Sequence, residues 1–196
     1  MPVAPPVFKK GSRVKILFLG SMKSPLLGWL VDQGEDVVQT SEVITEVEGI
    51  DFLVSYGYRH ILRKDILDKL PNRAVNLHIS YLPWNRGADP NLWSFIKGTP
   101  KGVTIHYLDE GIDTGDIIVQ RQVVFGSEGE TLTTTYRRLH LEIQRLFKEY
   151  WPRIRVGKCS RTKQSGQGTF HTSKDKETVI HLLTNGWETW VDQLQS

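Results

Sequence analysis

Apolar residues in this chain fall in short blocks broken by turn formers. Residues 14–19 form an apolar run closed by Gly20 and Ser21, which predicts a buried strand. Pro25 opens a short periodic stretch, 26–33, with Gly34 past its end, the pattern of a helix. Strands are predicted near 36–39, over 51–56 and over 74–80, and a helix over 63–70 that Pro71 stops. Asp89-Pro90 predicts a helix start, with Asp as N-cap and Pro at the first helical position, ahead of Leu92, Trp93, Phe95 and Ile96. Residues 103–108 and 117–125 alternate like strands. Ser127 and Glu130 have capping-box spacing before a long helix. Its apolar positions, Leu132, Tyr136, Leu139, Ile143, Leu146, Phe147 and Tyr150, recur at steps of three and four, and Pro152 is read as its end. Residues 158–172 are polar and Gly-rich, a hairpin or loop, and two helical pieces, 176–183 and 187–194, close the chain.

This alternation predicts an α/β fold: a Rossmann-like, mostly parallel sheet with helices on both faces. The expected organisation is a loose arm over 1–13, one α/β domain over 14–154 and a C-terminal extension over 155–196. A length of 196 residues, 39% of them hydrophobic and 24% charged, suits one globular domain. Mean hydropathy is -0.32, and no stretch approaches the roughly 18–20 apolar residues of a membrane span. The run 16–19 is too short for a signal-peptide core, so a cytoplasmic protein with no membrane partner is expected. The single cysteine, Cys159, excludes an internal disulfide framework and a Cys-rich zinc site. A formal charge of +3 does not argue for nucleic acid. Its distribution is uneven, because residues 153–176 hold seven Lys and Arg against one Asp.

The chemistry concentrates in Ala74-Val75-Asn76-Leu77-His78-Ile79-Ser80-Tyr81-Leu82-Pro83. In a strand, Val75, Leu77 and Ile79 point one way and Asn76, His78 and Ser80 the other. Either that polar face meets water at an edge, or its groups have buried partners, since each unpaired buried polar group costs roughly 1–3 kcal/mol. They also lie near a carboxyl end, where α/β sheets place ligands. A second polar segment, Leu108-Asp109-Glu110-Gly111-Ile112-Asp113-Thr114-Gly115-Asp116, holds four acids and two glycines. It lacks EF-hand spacing. It is either a solvated turn or a loop that folds back to set a carboxylate beside His78. No G-x-S-x-G elbow, Walker loop or G-x-G-x-x-G is present. His78, His106, Asp109 and Asp113 lack a tight metal-ligand motif, so no metal is expected. His60, His140, His171 and His181 are scattered and read as surface or hydrogen-bonded structural residues.

Together the two segments resemble the folate-dependent formyltransferase family. The likeness is carried by Asn76-Leu77-His78-Ile79-Ser80-Tyr81-Leu82-Pro83, by Arg86-Gly87, and by Pro90 with Trp93. It continues through Gly102-Val103-Thr104-Ile105-His106 to Gly111-Ile112-Asp113-Thr114-Gly115, with 35 residues from His78 to Asp113. The resemblance covers roughly residues 14–150. It implies that 14–154 is a catalytic domain, with 10-formyltetrahydrofolate as co-substrate and Asn76, His78 and Asp113 as the catalytic constellation. Asn76 and protonated His78 would stabilise the tetrahedral oxyanion, and Asp113 would orient the imidazole and accept the amine's proton. The pterin pocket is expected from Tyr56, Gly57, Tyr58, His60, Ile61 and Leu62, with Leu108, Glu110 and Ile112 opposite. Ser80 and Arg86 are expected to meet the amine substrate.

The family's members differ in the amine they formylate. Glycinamide ribonucleotide transformylase carries a Gly-Ser-Asn phosphate loop, and Gly20-Ser21-Met22-Lys23-Ser24 lacks its Asn. Methionyl-tRNA formyltransferase carries a further tRNA-binding domain, for which the residues after Tyr150 leave no room. The run Asp89-Pro90-Asn91-Leu92-Trp93 resembles the amino-sugar N-formyltransferases. The expected substrate is therefore a nucleotide-diphosphate-linked 4-amino-4,6-dideoxy sugar, used in surface polysaccharide. Glycinamide ribonucleotide formyltransferase of purine synthesis is the alternative within the family, and a non-catalytic folate-binding module and a metal-assisted hydrolase are the other classes. The basic segment 153–176 is a solvated surface, a diphosphate site using Lys158 and Arg161 among others, or a homodimer contact through a hairpin over 157–170.

Overall fold

The computed structural model describes residues 12–126 and 129–194. Chain order is β1 (Lys15–Gly20), α1 (Pro25–Asp32), β2 (Asp36–Thr40), β3 (Phe52–Tyr56), α2 (Lys64–Leu67), β4 (Ala74–His78), β5 (Arg86–Gly87) and α3 (Pro90–Ile96). Then follow β6 (Gly102–Tyr107), β7 (Ile117–Gln122), α4 (Leu132–Ile154) and β8 (Phe170–His171), with 3-10 turns over Asp175–Leu182, Gly186–Glu188 and Val191–Leu194. The main sheet has the order β2-β1-β3-β4-β6-β7. Its first four strands are parallel, and β6 and β7 are added antiparallel. The chain reverses direction across the sheet between β1 and β3, so a ligand crevice is expected outside the carboxyl ends of these strands.

Strand alternation divides the sheet. Ile16 and Phe18 of β1, Phe52 and Val54 of β3, Val75 and Leu77 of β4, and Val103 and Ile105 of β6 share one core with α1 and α4. Leu17, Leu19, Leu53 and Ala74 pack on the other face against α2 through Leu62, Ile66 and Leu70. That second apolar face stops at Ala74. Beyond it, Asn76 and His78 of β4 lie beside Thr104 and His106 of β6, with Asn76 opposite His106.

Several elements differ from the pattern-based reading. Asp89 does not cap α3: its backbone is left-handed (φ 50°) and makes no side-chain cap bond. Its carboxylate instead meets Lys176 Nζ at 3.2 Å. Thr131 caps α4 in a reciprocal box with Thr134, because the helix begins later than the Ser127 spacing suggested; Ser127 itself lies outside the described residues. Pro152 does not end α4, which runs on to Ile154; Pro costs one N–H there but its ring fits a helical φ. No hairpin projects over 157–170. That segment lies along the domain, with Thr162 bridging Ile117 and β8 pairing with β5.

One buried acid fastens the end of α4 to the sheet. Glu35 accepts from Val14 N at 3.0 Å and Trp151 Nε1 at 3.1 Å, and pairs with Arg155 at 2.8 Å. Glu35→Ala leaves these buried donors and a charge without their acceptor, which costs about 3 kcal/mol or more. Urea unfolding should show that loss as a lower midpoint with an unchanged slope. A shift below about 1 kcal/mol would mean water replaces the carboxylate.

Candidate active site

A single carboxylate gathers the polar face of β4 and β6. Asp113 Oδ1 accepts from Asn76 Nδ2 at 2.9 Å and lies 3.3 Å from His106 Nε2. Its Oδ2 accepts from the Gly87 backbone N–H at 2.9 Å and faces His78 Nδ1 at 3.6 Å, a charge contact longer than a hydrogen bond. His106 Nδ1 donates to the Tyr107 carbonyl at 2.8 Å, which fixes that ring with Nε2 toward the carboxylate. His78 Nε2 sits 3.1 Å from the Asn85 carbonyl. Asp113, His78 and His106 side chains are respectively 11%, 9% and 1% exposed, so the interactions act with little screening.

Backbone shape brings Asp113 there. Its φ of 54° is left-handed, the conformation that turns the loop back over the sheet. A Cβ at Gly115 would stand 1.8 Å from the Tyr107 carbonyl oxygen, so the return to β7 requires glycine. At Gly87 (φ 85°) a Cβ would stand 2.3 Å from the His171 carbonyl oxygen, and the amide could not reach Asp113. The register of β6 against β7 also shifts between Ile105 and His106, a bulge at the edge of the site.

Two further groups of residues complete the site. His106, which stands in the run that carries the family resemblance and is also a metal-ligand candidate by residue type, belongs to the carboxylate network. Alternation along 102–107 puts it on the face of Thr104, and the β4–β6 register puts that face beside Asn76 and His78. Gln164, in the C-terminal segment, donates to the Asp113 carbonyl at 2.7 Å and the Gly115 carbonyl at 2.9 Å. Thr169 accepts from Asn85 N at 2.7 Å, and its backbone carbonyl accepts from Arg86 N at 3.0 Å. Nothing local in the sequence marks these contacts. Among the described residues, no group of three or more His, Cys, Asp and Glu is arranged to hold a metal ion.

The remaining site candidates are dispersed. Tyr56 lies on the α4 face, where its hydroxyl bonds His140 and Gln144, so its side chain is on the opposite side of the sheet from Asp113. Burial pushes the Tyr56 phenol up to about 12 and the His140 imidazole down to about 4. Gly57 is open, with φ 71°. Tyr58, Leu62 and Leu108 pack in the α2-side core, which brings the two expected pterin segments together. His60 meets the Tyr58 ring edge-on, and Glu110 pairs with Lys64 at 3.1 Å. Ile61 and Ile112 are exposed, at 71% and 41%, and are the aliphatic side chains of those segments open to a ligand. Ser80 is buried and donates to the Trp84 carbonyl at 2.7 Å, a bond that holds the turn after β4. Arg86 lies in β5, and its buried Nε has no hydrogen-bond partner among the described residues. Lys158 is exposed, whereas Arg161 is held by Asp116 and Asn72 over the Tyr107 ring.

These features coincide with a known class. Residues 31–149 match the formyl transferase family model, and the chain belongs to that family. It is 50% identical to the formyltransferase PseJ from Anoxybacillus kamchatkensis, with 92% of this chain and 97% of that one covered and a TM-score of 0.89. That structure holds UDP-4,6-dideoxy-4-formamido-L-AltNAc and tetrahydrofolate. Identity is 33% to dTDP-4-amino-4,6-dideoxyglucose formyltransferase of Mycobacterium bovis, over 71% of this chain and 58% of the relative. It is also 33% to methionyl-tRNA formyltransferase of Geobacter metallireducens, over 78% and 53%. The chain thus spans about half the length of the curated relatives it matches. No helix among the described residues is long and apolar enough to cross a membrane.

Burial by itself would raise the Asp113 pKa. The charges of His78 and His106 and the N–H of Gly87 outweigh it and hold the carboxyl well below the usual carboxylate range. A depressed folded-state pKa gives stability that is complete above the unfolded value, near ~4, and drains away as pH falls below it. Asp113→Asn should therefore melt below wild type at pH 7, and the gap should narrow as pH drops from about 4 toward 2. A gap that stays constant across that range would show that shape, not charge, matters there. Gln164→Ala should speed amide exchange across 113–116 and leave β4 and β6 protected.

Proposed function

We propose that this protein transfers the formyl group of 10-formyltetrahydrofolate to the amine of a nucleotide-linked 4-amino-4,6-dideoxy sugar. The likeness to PseJ, 50% identical over 92% of this chain, carries the substrate part of this reading. It favours a UDP-linked 4-amino sugar of the altrose series as the first compound to test. The Asn76–His78–Asp113 network supports the chemistry. We place the reaction in the cytoplasm, in the supply of a surface polysaccharide, with a homodimer as the working assembly.

In this reading the amine attacks the formyl carbon while its departing proton passes to Asp113, directly or through one water. Asp113 is suited to that role because it is ionised, fixed by three neighbours and beside His78. The formyl oxygen becomes an oxyanion as the carbon turns tetrahedral. His78 donates to it, exchanging its bond to the Asn85 carbonyl for one to substrate. Asn76 gives an N–H to Asp113 and its Nδ2 lies 3.2 Å from His106 Nε2, so it aligns the carboxylate between β4 and β6. His106 anchors the other side of Oδ1. Collapse of the intermediate breaks the bond between the formyl carbon and N10 of the folate, and the proton taken from the amine passes to that nitrogen, so tetrahydrofolate leaves with N10 neutral and Asp113 is ionised again.

The co-substrate would lie against segments 56–62 and 108–113, with Ile61 and Ile112 as apolar wall. The amine substrate would approach the same carboxyl end of β4 from the other side.

His78→Ala should lower turnover by at least about a hundredfold, with the fold kept, as expected for a lost oxyanion or proton-transfer contact. Mass spectrometry reads a gain of one formyl group on the nucleotide sugar. Wild-type turnover in that variant, or formylation of glycinamide ribonucleotide in preference to every amino sugar offered, would sink the reading. Asp113→Asn should lose turnover while calorimetry shows folate-analogue binding retained. Ile61→Asp should weaken folate binding several-fold and leave nucleotide binding unchanged.

A further inference from the structure

The two nitrogens of the His78 ring are held unequally. Nδ1 faces Asp113 Oδ2 at 3.6 Å, a charge contact that fixes no hydrogen-bond direction. Nε2 lies 3.1 Å from the Asn85 carbonyl, within hydrogen-bond distance. A carbonyl oxygen only accepts, so Nε2 carries the hydrogen of that bond. The closer hold on the ring, and the nitrogen that bears its donor, are therefore set by the backbone of Asn85.

Asn85 is built to keep that carbonyl still. It is 0% exposed, and its backbone is left-handed, with φ 54°, a conformation that Asn tolerates better than most residues with a side chain. Each of its four polar atoms has a partner. Its N–H donates to Thr169 Oγ1 at 2.7 Å and its Nδ2 to Thr99 Oγ1 at 2.8 Å, while the Thr169 hydroxyl donates back to Oδ1 at 3.2 Å. The carbonyl is the fourth, on His78. Thr99 follows α3 and Thr169 precedes β8, so two distant segments clamp one turn. The clamp is close. A Cβ at Gly168 would stand 2.3 Å from the Pro83 carbonyl oxygen, which accepts from Thr169 N at 3.2 Å. An asparagine that served only to reverse the chain would meet water at the surface; this one has its side chain inside the protein.

We propose that Asn85 is a positioning residue for the reaction, with Thr99 and Thr169 acting through it: together they fix the plane of the His78 ring and keep Nε2 as the donor that the formyl oxygen meets. This rests on the formyl-transfer reading and adds what orients its imidazole. The Asn85 carbonyl takes the Nε2 hydrogen bond until substrate arrives, and the clamped turn keeps the ring aligned as that N–H changes from one oxygen to the other. Alignment of this kind acts on the bound complex, where a misplacement of about 1 Å can cost about a hundredfold in rate. Its signature is in kcat, not in KM.

Steady-state kinetics of the full chain, with 10-formyltetrahydrofolate and a UDP-linked 4-amino-4,6-dideoxy sugar, test the assignment. Thr169→Val removes the hydroxyl and keeps the shape; it should lower kcat about tenfold, with both KM values within about twofold of wild type. Thr169→Ser should recover most of that loss. Asn85→Gly keeps the left-handed backbone but cuts the side-chain ties to Thr99 and Thr169, and should lower kcat further. Long-range proton–nitrogen NMR spectra of labelled histidines should show a hydrogen on His78 Nε2 in the wild type. The proposal is overturned if Thr169→Val melts lower but keeps wild-type kcat, if KM rises while kcat holds, if Thr169→Ser recovers nothing, or if His78 Nε2 bears no hydrogen. Those outcomes leave the formyl-transfer reading standing as long as His78→Ala loses turnover. Full turnover in His78→Ala overturns both.

Discussion

A negative charge buried at the end of a β-strand must be compensated by the structure around it. Asp113 is such a charge. Two histidines, one amide side chain and one backbone N–H compensate it, and they come from three strands: Asn76 and His78 from β4, Gly87 from β5 and His106 from β6. The demand explains otherwise unrelated features. β6 must run antiparallel beside β4, so that His106 stands opposite Asn76. The loop before β7 must pass through a left-handed residue and a glycine that no side chain can replace. Gly87 must lack a side chain so that β5 can lie flat between β8 and the carboxylate.

The same demand draws the C-terminal extension into the site. Gln164 ties down the backbone on both sides of Thr114, and Thr169 and His171 hold the strand that presents the Gly87 amide. His171 in turn stacks on Trp93 of α3 at 4.0 Å between ring centres. Val191 and Leu194 then join Leu92, Phe95 and Leu132 in a third apolar cluster. The residues after α4 are thus a second layer over the Asp113 network. Their weak periodicity follows from that: a segment that gives hydrogen bonds through its backbone and single polar side chains needs no apolar stripe.

Much of the sheet was legible because alternation and turn residues are local signals. Val75, Leu77 and Ile79 declare a buried face, and Asn76, His78 and Ser80 an unusual polar one. What that polar face meets is not local. Ser80 shares the alternation of His78 yet spends its hydroxyl on the Trp84 carbonyl, because the strand ends at His78 and the chain turns. Tyr56 has the right place in sequence for the co-substrate, but its position in β3 sends the ring to the α4 face. His106 needed the β4–β6 register, and Gln164 needed the path of a loop. Resemblance to the formyltransferases supplied Asn76, His78 and Asp113 because it carries three-dimensional neighbourhood that spacing alone lacks.

Charge shows the same limit from the other direction. Seven cations in residues 153–176 look like one basic patch along the chain. In space they disperse. Arg155 is consumed by Glu35 inside the domain, Arg161 by Asp116, and Arg153 lies over Tyr150. Only Lys176 of that group reaches a large cleft lined also by Ile79, where it meets Arg59 and Arg137 from unrelated segments. A cluster read along the sequence thus dissolves, and a cluster invisible in the sequence forms at the end of the strand that carries His78. For a substrate with an anionic half and a neutral reacting half, that arrangement has a physical logic. The positive cleft lies on one face of β4, while the buried Asp113 carboxylate, whose charge is already matched by its own neighbours, stays on the other and does not cancel the cleft's positive field.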